Sequence, residues 1–204
     1  NSSDIARSSS AVSADGSSCT WAGNSREHRL TPWSNDPVGD RSGEAIYVRD
    51  DDTGLLFGPT ALPVRKASGH YLARHGRGYS RFEHTRADIA LNLLQFVPGD
   101  EPVKVSRLRI RNLSGRTRHL TLTAYVEWVL GTSRSSTAPF VATEIDPVTG
   151  GMLARNLWGG TETRVAFTDL GGLQTAWTGN RMEFIGRNGT LERPAALATG
   201  ARLS

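Results

Sequence analysis

Lysine is nearly absent from this 204-residue chain: Lys66 and Lys104 are the only two, against 22 arginines. The formal net charge is +4 and the pI about 9.7, but the basic residues are spread along the sequence and no run of like charge occurs. Such a bias toward arginine reads as GC-rich coding rather than a phosphate-binding face, so nucleic acid is not an expected partner. Cysteine is reduced to Cys19, which excludes a disulfide framework and a cysteine-based zinc site. No stretch approaches 18 consecutive apolar residues, and the first residues lack a charged-then-apolar signal pattern. The sequence therefore reads as soluble and compatible with a reducing compartment. Hydrophobic residues make up 37%, which is low, yet clear periodic segments argue against disorder throughout.

What is present is mainly strand chemistry. "GEAIYVRD" (43–50) is rich in β-formers and leads through Asp51-Asp52-Thr53-Gly54 into "LLFGP", a hairpin signal. "HYLARHG" and "GYSRFEHT" flank Gly76-Arg77-Gly78 in the same manner, and "IALNLLQFVP" (89–98) is a mostly apolar run ending at a turn. In "VKVSRLRIRN", Val103 and Val105, then Leu108 and Ile110, alternate with polar residues, and the phase shift at Ser106-Arg107 suggests a bulge. "RHLTLTAYVEWVL" sets Leu120, Leu122, Ala124, Val126 and Trp128 on one side, so the two segments read as one long antiparallel pair joined by "NLSGRTR". "FVATEID" and "MLARNLW" form a further hairpin around Pro147–Gly150, "TRVAFTDL" adds a strand, "RMEFIGRNG" reads as the last strand, and "RPAALATGA" as one helical turn. Strands at such spacing, with turns between them, predict an all-β protein: a large antiparallel β-sandwich, incomplete as it stands. Residues 1–18 read as a Ser-rich disordered leader, and residues 19–204 as a single sandwich domain truncated at one or both ends.

Several chemistries lack their residues. No G-x-S-x-G elbow surrounds Ser80 or Ser114, and "HGRGYS" is a hairpin turn rather than a phosphate-cradling loop. His75 and His84 could meet across the Gly76–Gly78 turn, but a solvent-facing pair is the simpler reading, and no metal is expected. Glu127, Glu144 and Asp146 lie on or beside strands with no spacing that makes two acids converge on one bond.

One segment is different. "NSREHRLTPWSNDPVGD" (24–40) fits neither a strand nor a helix period. Together with Trp21 it gathers planar hydrogen-bonding groups and indoles, the partners that sugar hydroxyls and sugar C–H faces require. The candidate carbohydrate-binding residues are Trp21, Arg26, Arg29, Trp33, Asn35 and Asp36, with at least one of Trp21 and Trp33 partly buried beneath an irregular loop. Arg26 or Arg29 is placed to pair with Asp36 or Asp40. A purely structural loop is the competing reading, since Pro-Trp-Ser-Asn-Asp-Pro is also good turn chemistry.

These motifs occur in a familiar order. "TWAGNSREHRLTPWSNDPVGDRSGEAIYVRDDDTG", "GPTALPVR", "RHGRGYSRFEH", "LLQFVPGDEPVKVSRLRIRN", "YVEWVLG" and "APFVATEIDPVTGGMLARNLW" together resemble the N-terminal supersandwich domain of glycoside hydrolase family 94. Within it, the C-terminal, phosphorylase-like region of the cyclic β-1,2-glucan synthases is most similar. The match runs over roughly residues 19–200. It departs from the family at Cys19, where an aromatic is usual, and at "LFGPT", which replaces a Trp-Ser-Pro-Thr pattern. Further strands that the family shows before Thr20 are replaced by the Ser-rich segment.

The resemblance implies a galactose-mutarotase-like supersandwich preceding a helical linker and an (α/α)6 barrel. The general-acid Asp and the phosphate site lie on that barrel, so neither a catalytic residue nor a cofactor is expected on this chain. It also implies a β-glucan oligosaccharide or polysaccharide as partner, a homodimeric parent protein, and a parent at the cytoplasmic face of a bacterial inner membrane. A free-standing carbohydrate-binding module is the alternative, and a nucleic-acid-binding β-protein a third reading that rests on the pI alone.

Overall fold

A computed structural model describes residues 8–33, 41–65, 69–158 and 164–198. Their strands are all antiparallel and fall into four sheets. β1 (Ser8–Val12) pairs with β2 (Ser18–Ala22), and β3 (Glu44–Asp50) sits between β4 (Leu56–Phe57) and β9 (Leu120–Val126). β5 (Tyr71–Gly76), β6 (Tyr79–Arg86), β7 (Ile89–Phe96) and β8 (Val105–Asn112) form a four-stranded meander. β10 (Val141–Ile145), β11 (Met152–Asn156) and β12 (Ala166–Thr168) form the last sheet. The short α1 (Arg134–Thr137) and α2 (Arg181–Ile185), with 3-10 turns at Ala138–Phe140 and Ala195–Leu197, complete the fold. The all-β reading holds.

The hairpins form where turn chemistry demanded them. At 51–54 the Asp50 carboxylate accepts from the backbone N–H groups of Asp52 (3.0 Å) and Thr53 (3.3 Å), while Gly54 takes a positive φ of 72°. Between β6 and β7, Ala87 and Asp88 both adopt positive φ, the geometry of a two-residue primed turn.

The sheet of β3, β4 and β9 is a middle layer. One of its faces packs Val48 and Phe57 against Ile89 and Leu91 of the meander, with Leu55, Leu108 and Leu120 at the margin. Its other face packs Ala45, Tyr47 and Tyr125 against Val64, Phe184, Ile185 and Leu197. Both clusters are buried, so β3 and β9 carry core residues on both sides.

Four sequence expectations are corrected. Residues 8–18 are not a free leader: β1 pairs with β2 in five consecutive positions, and Ser17 and Ser18 are buried. Serine is a weak strand former, but its backbone pairs like any other once a partner strand is in reach. Residues 1–7 lie outside the described residues.

The pair joined by "NLSGRTR" is not a hairpin either. β8 pairs with β7, whereas β9 crosses to the other sheet and pairs with β3 over seven positions. Two strands with matching apolar faces can meet edge to edge or face to face across a core, and alternation alone does not distinguish the two. Leu122 is accordingly 41% exposed and Ile110 39% exposed, while Val103, Val105, Val126 and Trp128 are only partly buried.

No bulge occurs at Ser106-Arg107, because the β7–β8 register is continuous from Ile89↔Asn112 to Phe96↔Val105. The break in alternation is a polar cross-strand pair, Gln95 Nε2 donating to Ser106 Oγ at 3.0 Å.

Finally, "RMEFIG" is a helix. Asn180 caps it by accepting from the N–H groups of Met182 (2.9 Å) and Glu183 (3.3 Å). Phe184 and Ile185 are then buried side by side against Tyr47 and Tyr125.

Candidate functional site

The segment following β2 turns back on itself. Asn24 Oδ1 accepts from the N–H groups of Arg26 (2.8 Å) and Glu27 (3.2 Å), closing an Asx turn, and Ala22 N–H donates to His28 O (3.0 Å). Trp21 bridges to Arg29, which bridges in turn to Gly131, so the segment is laced to the chain beyond β9. Backbone donations from Leu30 to Thr20 O (2.8 Å) and from Val129 to Leu30 O (2.8 Å) continue the lacing. A stretch with no strand period thus satisfies its backbone groups one at a time.

Trp21 is half-buried, Arg26 is exposed, and Trp33 is 40% exposed. Arg29 donates from Nε to Ser25 O (2.8 Å) and from Nη1 to Thr132 O (3.3 Å). Asn35 and Asp36 lie outside the described residues, as does Asp40, so the proposed pairing with Arg26 or Arg29 lies outside them too.

Arg29 also reaches the wall of an open cleft of about 1290 Å³ between the two central sheets. Of the four candidate residues that are described, it alone lines this space. The walls are largely apolar and aromatic, with Leu122, Val126, Trp128, Phe140, Trp158 and Phe167 among them. Trp158 packs on Phe140 with ring centroids 4.5 Å apart.

A buried polar cluster lies along one side, and the sequence reading missed it. Glu44 accepts from Thr20 Oγ1 (2.6 Å), Thr31 Oγ1 (3.0 Å) and Lys104 Nζ (2.7 Å), and Lys104 also donates to Ser18 Oγ (3.2 Å). Burial opposes ionisation of Glu44. The Lys104 ammonium, with the hydrogen bonds from Lys104, Thr20 and Thr31, outweighs it and holds the carboxyl below its ordinary value. A carboxylate opening an apolar strand, and one of only two lysines, were the available signals.

The opposite end of the same inter-sheet space holds a second buried pair. Asp50, fully buried, accepts from Arg118, which also donates to Ala87 O at 2.7 Å. Burial again opposes the charge, and the bond from Arg118, helped by Asp52 and Thr53, keeps Asp50 below its ordinary value.

His75 binds Ser80 (Nδ1 to Oγ, 2.9 Å), whereas His84 is 2% exposed, stacked on Tyr71 at 3.9 Å and bonded through Nδ1 to His70 O at 3.1 Å. The expectation of a solvent-facing pair therefore fails for His84, whose ring lies on the inner face of the meander. Among the described residues no group of three or more His, Cys, Asp or Glu is placed to hold a metal ion. No helix among them is long and apolar enough to cross a membrane.

Residues 6–204 match the family model described as the glycosyl hydrolase 94 supersandwich domain. The cyclic beta-(1,2)-glucan synthase NdvB of Rhizobium meliloti (strain 1021) is 42% identical over 194 residues, which are 95% of this chain and 7% of that protein. The N,N'-diacetylchitobiose phosphorylase of Vibrio furnissii is 29% identical over 180 residues, 85% of this chain and 22% of that protein. A solabiose phosphorylase of Paenibacillus borealis is 33% identical over 85 residues, covering 42% of this chain and 11% of its own length. The chain therefore spans a small part of the curated relatives it matches. With an antiparallel all-β architecture and a family match along nearly its whole length, the chain belongs to the glycosyl hydrolase 94 supersandwich domain family.

Proposed function

We propose that this chain is the non-catalytic β-sandwich portion of a glucan-processing glycosyltransferase or phosphorylase of the cyclic β-1,2-glucan synthase kind. On this reading the chain supports carbohydrate binding and the assembly of a barrel and dimer, while the general acid and inorganic phosphate are bound outside it. The longer protein acts at the cytoplasmic face of a bacterial inner membrane.

The observation that carries the reading is the state of the carboxylates. A glycosidic general acid needs a raised pKa and a free path to the leaving oxygen. Five carboxylates among the described residues move the other way: Glu44, Asp50, Asp52, Asp146 and Asp169 are held low. The three acids singled out by sequence are occupied structurally. Glu127 takes Arg134 (2.7 Å) and Tyr125 (3.0 Å), Glu144 takes Arg155 (2.9 Å), and Asp146 closes its own turn through Thr149 N–H (3.0 Å).

Sugar contact falls to the segment around Trp21, Arg26, Arg29, Trp33, Asn35 and Asp36 and to the aromatic walls of the cleft. In the intact protein, Trp33→Ala combined with Asn35→Ala should raise KM for the glucan with kcat little changed. Unchanged KM with a lower Tm would make the segment purely structural and remove these residues from the binding reading.

A further inference from the structure

Five of the 22 arginines, dispersed along the sequence, share one face in space. Along a strand, alternate residues share a face, so Arg107, Arg109 and Arg111 of β8 all project from the side of the meander opposite Leu108. The register brings Arg74 and Arg81 onto the same outer face, in the row Arg74↔Arg81↔Leu94↔Arg107. Glu83 is the one carboxylate on this face in the four strands. It is already used, accepting from Arg74 at 2.8 Å and from Asn92 at 3.0 Å.

Among the described residues, Arg81, Arg107, Arg109 and Arg111 have no hydrogen-bond or ion-pair acceptor, and Arg81 Nε is buried without a partner. The face thus carries five guanidinium groups against one carboxylate, as large an excess as the +4 of the whole chain. Arg74 and Arg81 stand directly opposite each other, an arrangement that costs stability and that a purely solvated sheet gains nothing from. Between the charges lie Leu72, Leu94 and Phe96, with Tyr79 folded over Gly76, where a Cβ would come within 2.3 Å of its ring. Leu72 and Tyr79 are 44% and 45% exposed.

We infer that this outer face docks an acidic protein segment, one that presents carboxylates at alternate positions of an extended stretch. Three features select that partner. The arginines of β8 repeat every second residue, roughly 6.8 Å apart, which is the spacing of alternate side chains on an extended partner. Arginine with exposed tyrosine and leucine, and no lysine, is the composition of protein interfaces, and guanidinium matches carboxylate in two parallel bonds. The face measures roughly 500 Å² from strand spacing and rise. That suits one side of a domain–domain contact of about 600–1,500 Å² in total, and falls short of the roughly 1,000–2,500 Å² that specific DNA-binding proteins commit. The inference stands independently of the carbohydrate reading, since none of these residues belongs to the segment or cleft described above.

The test is fluorescence anisotropy on the full chain with two labelled peptides of one composition, EVEVEVEV-type with alternate glutamates and its EEEEVVVV block isomer. Duplex DNA and vesicles containing phosphatidylglycerol serve as competing probes. The alternate peptide should bind more tightly than its isomer, more tightly than either competing probe, and at least tenfold more weakly to R107E/R109E. The variant R107K/R109K keeps the charge and loses the bidentate geometry, so it should fall between the two. Equal affinity of both peptides, equal affinity of wild type and R107E/R109E, or a preference for DNA or vesicles overturns the inference. Circular dichroism of both variants, matching wild type, assigns any loss to the face rather than to the fold.

Discussion

The two ends of the space between the central sheets have the same ingredients and opposite states. At one end Val48, Phe57, Ile89 and Leu91 close into a dry cluster sealed by Asp50 and Arg118. At the other, Leu122, Val126 and Trp128 line an open cleft beside Glu44 and Lys104. The strand β9 runs through both, with Leu120 packed and Leu122 exposed two residues later. Alternation states which face of a strand is apolar, whereas closure depends on how close the facing sheet comes. The ion pair at the closed end is almost wholly removed from solvent, with Asp50 0% and Arg118 3% exposed, and the pair at the cleft keeps more contact with water.

The largest effects should separate the two ion pairs. Arg118→Met removes the counter-charge of a fully buried Asp50, leaving it only the N–H donors of Asp52 and Thr53, and should cost about 3–5 kcal/mol in denaturant unfolding. Lys104→Met should cost less, about 1–3 kcal/mol, because Glu44 keeps its donors Thr20 and Thr31 and, unlike Asp50, part of its side chain still meets solvent. Equal losses would mean that the cleft end is as dry as the sealed one.

Next come the apolar residues. Ile89→Ala, at a fully buried site, should cost about 2–5 kcal/mol. Leu122→Ala should cost about 1 kcal/mol or less, since much of its surface already meets solvent. A Leu122 loss matching that of Ile89 would show a cleft closed in solution.

Acid should act on both ends. Asp50 and Glu44 have folded pKa values below their ordinary 3.8 and 4.5, so the unfolded chain binds more protons in that range. Their contribution is full above those values and is lost as the pH falls through the lower folded ones. His84 acts earlier. Burial, with the nearby Arg86 charge, lowers its pKa from 6.5 against the opposing bond to His70 O, so stability falls as the pH drops below 6.5. His84→Gln should flatten that upper limb in a Tm-against-pH profile and leave the acid limb in place.

The smallest effect belongs to the turn that Arg118 braces. Ala87 holds a φ of 47°, and Ala87→Gly should relieve it, raising stability by about 0.5–1 kcal/mol. No gain would mean that Arg118, bonded to Ala87 O, already fixes this conformation at no cost.

Much of the fold was legible because hairpins are local. The turns at 51–54, 77–78 and 147–150 carry their own chemistry, and each joins the strands that sequence assigned to it. The failures were non-local or hidden by type. "RMEFIG" alternates like a strand, but Asn180 and Glu183 supplied a helix start that deserved more weight than the alternation. The Ser-rich segment was discounted for composition, although strand pairing uses the backbone. Of the residues proposed for sugar contact, Trp21 and Arg29 are bridged to each other, while the Glu44–Lys104 cluster escaped because its members are 60 positions apart in sequence.

The sequence by itself determined the class of the protein: β-forming segments cut by turn residues, an apolar face on each strand, and a family pattern along its length. Only the tertiary structure decided which strands are neighbours, since β8 and β9 have matching faces yet join different sheets. It also decided where charge accumulates. Arginines two residues apart look dispersed along a chain, and strand pairing places them on one surface, because side-chain direction alternates while register aligns the rows.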